Sequence, residues 1–202
     1  MENRSKLLAA LGFMFVVANE LSNELASLIA GRKARLTRHT IYVRKDITGA
    51  GGIFNVIDEN TLKVEGVSSL TKTSLPKNQA VIFDKIAIGF ALGSVELGEE
   101  GQVDYGTTLT PAEIRNATLV ITQNGREVLE LPVADMVKAQ STNNANDLYH
   151  DLEGFHYLVD DQPMEWQLQL TKGVHIVGGG VNTTLRTYIT VRLKTKKTQR
   201  KL

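Results

Sequence analysis

The sequence predicts a mainly β protein: an antiparallel β-sandwich that follows one long N-terminal α-helix. Body segments such as "MEWQLQLT" (164–171) alternate apolar and polar residues, which is typical of strands with one solvent-facing side. Residues 7–28 instead repeat apolar residues at helical spacing. With 202 residues, 42% of them hydrophobic and 22% charged, the chain suits one packed core. It has no cysteine, which excludes disulfides and thiolate metal sites.

The N-terminal helix is predicted from a heptad stripe whose members are separated alternately by four and three residues. The stripe consists of Leu7, Leu11, Met14, Ala18, Leu21, Leu25 and Leu28. Such spacing places all seven side chains on one side of a single helix of about 25 residues. Gly31 is a suitable end for that helix. We interpret the stripe as an oligomerisation surface.

Other interpretations of this segment remain open. Arg4 and Lys6 precede an apolar run, as in a signal peptide, but the helical spacing continues past the cleavage position that Ala18 would provide. The apolar run from Leu7 to Ala18 is short for a membrane span, which needs about 20 residues. A retained helix is therefore favoured. Its cover is a sister helix or another protein, the chain's own domain, or a membrane.

Charge is divided unevenly along the chain. Residues 1–45 and 186–202 contain 15 Lys and Arg and only three acids, for a net charge of +12. Residues 46–185 contain 8 bases and 19 acids, for a net charge of −11. The two ends are thus suited to a polyanion or an anionic surface, which the middle would repel. The predicted contact residues are Arg32, Lys33, Arg35, Arg38, Arg192, Lys194, Lys196, Lys197, Arg200 and Lys201.

Three regions are predicted from these patterns. Residues 1–38 form the helix and a basic connector, "RKARLTRH" from residue 32 to 39 marking the change. Residues 39–195 form the β-sandwich, and residues 196–202 form a basic C-terminal tail.

The strands of the sandwich are predicted in order. "TIYVRK" (40–45) alternates, and "IFNVI" (53–57) and "TLKVEGV" (61–67) form a short pair. The run 78–92, "NQAVIFDKIAIGFAL", is a long β-branched strand in which Asp84 and Lys85 mark a bend or the edge of the core.

The second half begins with a short helix in "TPAEIRNA" (110–117), where Thr110, Pro111 and Glu113 have the spacing of a capping box. A hairpin follows, in which Asn124-Gly125 suits a two-residue type I′ turn between "ATLVITQ" and "REVLELPV". Residues 141–162 are predicted as an exposed loop. "MEWQLQLT" and "TTLRTYITVRLKT" (183–195) close the domain.

The polar clusters do not indicate an enzyme. His150, Glu153 and His156 are the best candidates for a metal site, but their spacing matches no zinc motif and Gly154 interrupts a helix through them. The glycine runs at 49–52 and 178–180 are not followed by the Lys-Ser/Thr of a phosphate-binding loop. We therefore predict no catalytic residue, no metal and no cofactor.

The layout resembles a jelly-roll virion protein of a bacteriophage. The likeness rests on the basic N-terminal arm, on strands such as "NQAVIFDKIAIGFAL" and "NATLVITQNGREVLELP", and on long loops. It covers most of the chain, with one departure, since arms in that class are usually polar and this one begins with an apolar helix.

The resemblance implies a function in assembly. The expected protein is a non-enzymatic structural component of the virion, either capsid or capsid-associated. It would associate with itself and with other virion proteins through the helix, and its basic ends would face nucleic acid, contacted non-specifically, or an anionic layer. Membrane contact is possible but not favoured. The alternative is an exported or surface-anchored β-sandwich binding module whose 141–162 loop contacts a ligand.

Overall fold

The fold was analysed in a computed structural model, which describes residues 2–105, 110–137, 148–178 and 185–200; the side chains of residues 2–4 and 200 are outside that description. Its helices are α1 (Glu2–Val16), α2 (Asn23–Ala30), α3 (Ala112–Arg115) and α4 (Val133–Met136). Its strands are β1 (Ala34–Asp46), β2 (Ile53–Asn55), β3 (Val81–Gly93), β4 (Thr118–Gln123), β5 (Arg126–Pro132), β6 (His150–Leu158), β7 (Met164–Gln169) and β8 (Arg186–Arg200).

The strands form two four-stranded antiparallel sheets. The first sheet has the order β1-β8-β3-β6 and the second has the order β2-β7-β4-β5. One apolar cluster contains inward side chains from both, among them Val191 and Phe83 of the first sheet and Leu119 and Trp166 of the second. The sheets therefore pack face to face, which confirms the predicted antiparallel β-sandwich.

The strands pair in a nested order. β1 pairs with β8, β2 with β7, β3 with β6, and β4 with β5. The innermost pair is the predicted hairpin, and Asn124 and Gly125 have φ of 49° and 73° at its turn. Both angles are positive, as a type I′ turn requires, so this prediction is confirmed.

The prediction of one long N-terminal helix is wrong. α1 ends at Val16, a 3₁₀ turn follows at Ala18–Glu20, and α2 begins at Asn23. Ser22 is extended at ψ 145°, and its Oγ donates to Asp160 Oδ2 at 2.9 Å. Short polar side chains that bond elsewhere compete with helix hydrogen bonding, so this stretch is a natural place for the break.

Both helical segments lie on the outer side of the first sheet. Ala10, Met14, Val17, Leu21, Leu25 and Ile29 form a cluster with Ala80, Ile82, Tyr157 and Val159, and Leu36 and Phe155 border it. The break lets the two segments follow the twisted sheet, so that both bury apolar side chains. Cover by the chain's own domain, one of the three alternatives for this helix, is thus present on its inward side.

A polar contact attaches the bend between α1 and α2 to the sandwich. Arg126 Nη1 lies 2.9 Å from Glu20 Oε2, and its guanidinium lies 4.3 Å from the centre of the Tyr157 ring. The Tyr157 hydroxyl donates to the same Glu20 carboxylate. The helices are therefore held by charge as well as by burial.

Several predicted boundaries need correction. Residues 141–162 are not one exposed loop, because β6 occupies His150–Leu158, while residues 141–147 lie outside the described residues. "TLKVEGV" is not a strand: it forms only isolated bridges, such as Val64 with Ser68, around a turn in which Gly66 has φ of 81°. The capping box is also absent, because α3 begins one residue later than predicted, with Pro111 at the N-cap. The predicted domain limits at 38/39 and 195/196 fall inside β1 and β8, because the basic segments continue the same paired strands.

Candidate anion-binding surface

The two basic ends of the chain lie side by side. Antiparallel pairing runs from Ala34 opposite Arg200 to Asp46 opposite Tyr188. Residues 34–42 and 192–200, far apart in sequence, therefore meet along one ribbon. Lys201 and the side chain of Arg200 lie outside the described residues.

The predicted cations separate onto different sides of this ribbon. Inward positions are marked by Ile41, Val43, Val191 and Leu193, which lie in the core between the sheets. Since side chains alternate along a strand, Arg38, Arg192, Lys194 and Lys196 lie on the outer side, the side that also carries the helices. Lys197 lies on the inward side. The side chain of Arg35 is bonded within the ribbon, since its Nη2 donates to Gln199 Oε1 at 3.2 Å. Arg32 and Lys33 are exposed just after α2.

The outer cations are placed directly opposite one another. Arg38 faces Lys196 across β1 and β8, and Lys194 faces Lys85 across β8 and β3. Like charges in opposed positions of neighbouring strands repel and destabilise the sheet. The cationic block formed by Arg38, Lys85, Lys194 and Lys196 is therefore electrostatically unfavourable by itself. An anion that binds to it would lower this repulsion.

Two carboxylates offset part of the repulsion. Asp84 lies at the irregular register between Phe83 and Lys85, and its Oδ2 lies 3.6 Å from Lys196 Nζ. These two side chains are only 17% and 15% exposed. Asp151 Oδ2 lies 3.1 Å from Lys85 Nζ, and this hydrogen bond is the main reason that the pKa of Asp151 is lowered. Asp84 and Lys85 were predicted to mark a bend or the edge of the core, and the structure has a register shift of β3 at this point.

The block borders a groove of about 870 Å³ beside the N-terminal half of α1. Its lining consists of Lys6, Leu7, Leu36, Arg38, His39, Thr40, Asp84, Lys85, Lys194, Thr195 and Lys196. Sequence reasoning included Arg38, Lys194 and Lys196 but missed Lys6 and Lys85. Lys6 precedes the apolar run near the start of the chain and Lys85 lies in its acidic middle, so only the fold brings them here.

Aromatic rings pack against these cations. The Tyr149 ring centre lies 5.5 Å from Lys194 Nζ and 6.0 Å from the Arg192 guanidinium carbon. The Phe155 ring centre lies 5.3 Å from Lys196 Nζ. Such cation–π contacts hold the long side chains in place.

A second basic group lies on the inward side of the ribbon. Burial lowers the pKa of Lys197, and the charge of Lys63 lowers it further. Burial likewise lowers the pKa of His39, with Lys197 and Lys63 adding to the effect. Lys197 is thus not part of the outer block, although the sequence grouped it with the anion contacts.

The predicted oligomerisation stripe is divided by the fold. Met14, Leu21 and Leu25 are at most 6% exposed and pack against the chain's own sheet. Leu11, Ala18 and Leu28 are half-buried, and Leu7 is exposed. The helix turns this stripe mainly toward its own domain, because Ile82 and Tyr157 supply an apolar surface there.

The histidine cluster does not converge. His156 Nδ1 is 2.8 Å from the Val128 carbonyl oxygen and its ring stacks on Phe83. Glu153 is exposed, with φ of 56°. Within the described ranges, no three His, Asp or Glu side chains are grouped as a metal site.

Comparisons with known proteins add no assignment to this geometry. No protein-family model matches the chain, and neither a curated protein nor a solved structure shows significant similarity to it.

Proposed function

We propose that this chain is a non-enzymatic structural protein of a virion, built on a jelly-roll sandwich. The observation that carries the proposal is the nested pairing of the eight strands. A long antiparallel hairpin that rolls up over two sheets produces this order, and it is the arrangement of jelly rolls in capsid proteins. Jelly rolls also occur in lectins and cupins, so the fold alone does not assign the function.

The charge distribution supports an assembly that separates two environments. The cationic block on the outer side of the first sheet suits a phosphate-rich layer, either nucleic acid or another anionic surface. The second sheet is different on its outer side, where Glu165, Gln167 and Gln169 alternate with buried residues. A shell subunit with one side toward an anionic layer and the other toward water has this asymmetry.

The sequence predicts self-association through the N-terminal helix. The surface left for it is smaller than expected, because one side of this segment packs on the chain's own sheet. Only the side of α1 that points away from the sheet remains open to another molecule. Deletion of residues 1–31 is a poor test, because it would also uncover Ile82 and Tyr157. Assembly is better tested with the full chain.

The test is the molar mass of the full-length protein, measured by light scattering over a wide concentration range, with electron microscopy of the same samples. We expect closed particles or defined multimers whose formation depends on concentration. A protein that remains monomeric at every concentration, with and without nucleic acid, would overturn the proposed shell function. A cleaved N-terminus in native material, found by mass spectrometry, would favour the exported binding module instead.

A further inference from the structure

The outward side of α1 is an unusual surface for a helix of a globular protein. Ala10, Met14 and Val17 point toward the sheet and are buried. The opposite side presents Leu8, Phe15 and Val16, which are 62%, 52% and 78% exposed. Between them lie Ser5, Ala9 and Gly12. A surface helix normally turns charged residues to water here, and a clustered apolar patch marks an interaction site.

Cations lie along the edge of this apolar surface that faces β1. Beside the start of α1 they line the groove with Lys6, Arg38 and Lys194, on the same outer side of the first sheet. Farther along α1 they line a cavity of about 300 Å³ between the helices and β1, where Arg32 and Arg35 lie beside Leu11 and Phe15. Residues 5–18 contain no acid. The surface is thus apolar along its centre and positive along its β1 edge.

This combination restricts the partner. A second copy placed on the same surface would bring identical cations against these, and they would repel one another. Nucleic acid would satisfy the cations but would leave Leu8, Phe15 and Val16 in water. An anionic lipid leaflet satisfies both, because apolar side chains enter the acyl boundary while Lys and Arg reach the phosphates. Among the described residues, no helix is long and apolar enough to cross a bilayer.

We propose that the outer side of the first sheet docks on an anionic lipid leaflet, with Leu8, Phe15 and Val16 inserted and the flanking Lys and Arg at the headgroups. This inference rests on the proposed function, in which that side faces an anionic layer, and it assigns the layer as lipid. α1 is held to the sandwich by its buried side, so it would act as a rigid part of the docking surface.

The experiment is co-sedimentation of the full-length protein with vesicles of phosphatidylcholine, with and without phosphatidylglycerol. We expect partitioning that requires phosphatidylglycerol and weakens as salt rises. The double variant Phe15→Gln with Val16→Gln should reduce partitioning roughly tenfold or more, because the inserted apolar area is lost. Ile53→Gln with Val177→Gln is the matched control, since these side chains are 64% and 74% exposed elsewhere and should have no effect.

The charge contribution is tested separately. Arg38→Gln should reduce partitioning about fivefold, the effect of one cation near an anionic leaflet, whereas Lys172→Gln in an exposed turn should not. Circular dichroism and thermal melts establish that each variant is folded.

The outcomes separate the two proposals. Partitioning that is equal on both vesicle types, or that survives the Phe15/Val16 change, would overturn the lipid contact. Binding to DNA but not to vesicles would assign the surface to nucleic acid, and loss of self-association in the Phe15/Val16 variant would assign it to a second copy. A monomer that binds anionic vesicles would overturn only the shell, and a shell that ignores vesicles would overturn only the lipid contact.

Discussion

The outer sides of the two sheets differ in almost every respect. On the first sheet, Ile82 and Tyr157 are covered by the N-terminal helices, while Ala91 and Tyr188 are covered by Val103 and Tyr105 of the loop after β3. Opposed cations lie between these covers. On the second sheet, β7 turns Glu165 and two glutamines outward and buries Trp166 and Leu168. The first sheet therefore buries apolar side chains on both sides, whereas β7 of the second sheet buries them only toward the core.

This difference is the reason that the proposed docking surface is placed on the first sheet. The outer side of β7 is polar, whereas the first sheet holds apolar residues, unbalanced charge and an appended helix together. The predictions below test that contrast, beginning with the largest expected effect.

Leu25→Ala should lower the free energy of unfolding by about 2 to 5 kcal/mol, measured by urea denaturation. The side chain of Leu25 lies on the sheet-facing side of α2 and is 1% exposed, so its truncation would leave a cavity above the first sheet. Gln169→Ala, on the outer side of the second sheet, should stay within about 0.5 kcal/mol of the parent. If the two changes had equal effects, the helices would not be an integral layer of the fold.

Asp84→Asn should lower the free energy of unfolding by about 1 to 3 kcal/mol, because Lys196 would lose the carboxylate that offsets Arg38 and this pair is largely shielded from water. Added phosphate or sulfate should restore part of the loss. Asp161→Asn is the control: its Oδ2 is also 3.6 Å from a lysine nitrogen, that of Lys77, but both side chains are exposed. A loss in the control as large as that of Asp84→Asn would contradict a special role for the block.

The inward cluster predicts a pH dependence. Burial lowers the pKa of His39, and Lys197 and Lys63 lower it further, so the folded state binds a proton less readily than the unfolded state. The contribution of neutral His39 to the free energy of unfolding is complete above the pKa of the unfolded state, about 6.5. It declines as the pH falls from there toward the pKa of the folded state. His39→Gln should flatten the acid side of a plot of unfolding free energy against pH. An unchanged slope would mean that other groups control it.

The smallest effect is expected at two glycines. Gly12→Ala should stabilise the protein by about 0.5 to 1 kcal/mol, because Gly12 is helical and an added Cβ meets no atom within 4 Å. Gly125→Ala should destabilise it by about 1 kcal/mol, because φ is 73° at the hairpin turn. Thermal melts measure both changes. A destabilising Gly12→Ala would indicate that the outward side of α1 is already packed.

Sequence reasoning succeeded where the signal is local. Asn124-Gly125 between alternating runs indicated the β4–β5 hairpin, and the β-branched run at 78–92 indicated β3. It failed where neighbours across the fold decide. Val64 alternates like a strand residue but lies in a turn, and the heptad stripe concealed a break that Ser22 and Asp160 stabilise.

The sequence predicted the cations at the two ends of the chain but not the cation that β3 adds to the candidate site. The excess of Lys and Arg at both ends indicated a basic surface, and β1–β8 pairing brings those ends together. Lys85 could not be found from the sequence, because it lies in a net acidic region and becomes a neighbour of Lys194 only through the β3–β8 register.

The sequence by itself determined the type of most elements, the alternation that builds two half-buried sheets, and the separation of charge between the ends and the middle, because each depends on a residue and its near neighbours. Only the tertiary structure decided which side of the N-terminal helix is buried, which cations face one another, and how the strands nest. Those properties depend on contacts between residues far apart in sequence, such as Arg38 with Lys196, and such contacts follow from the packing of the whole chain rather than from any one segment.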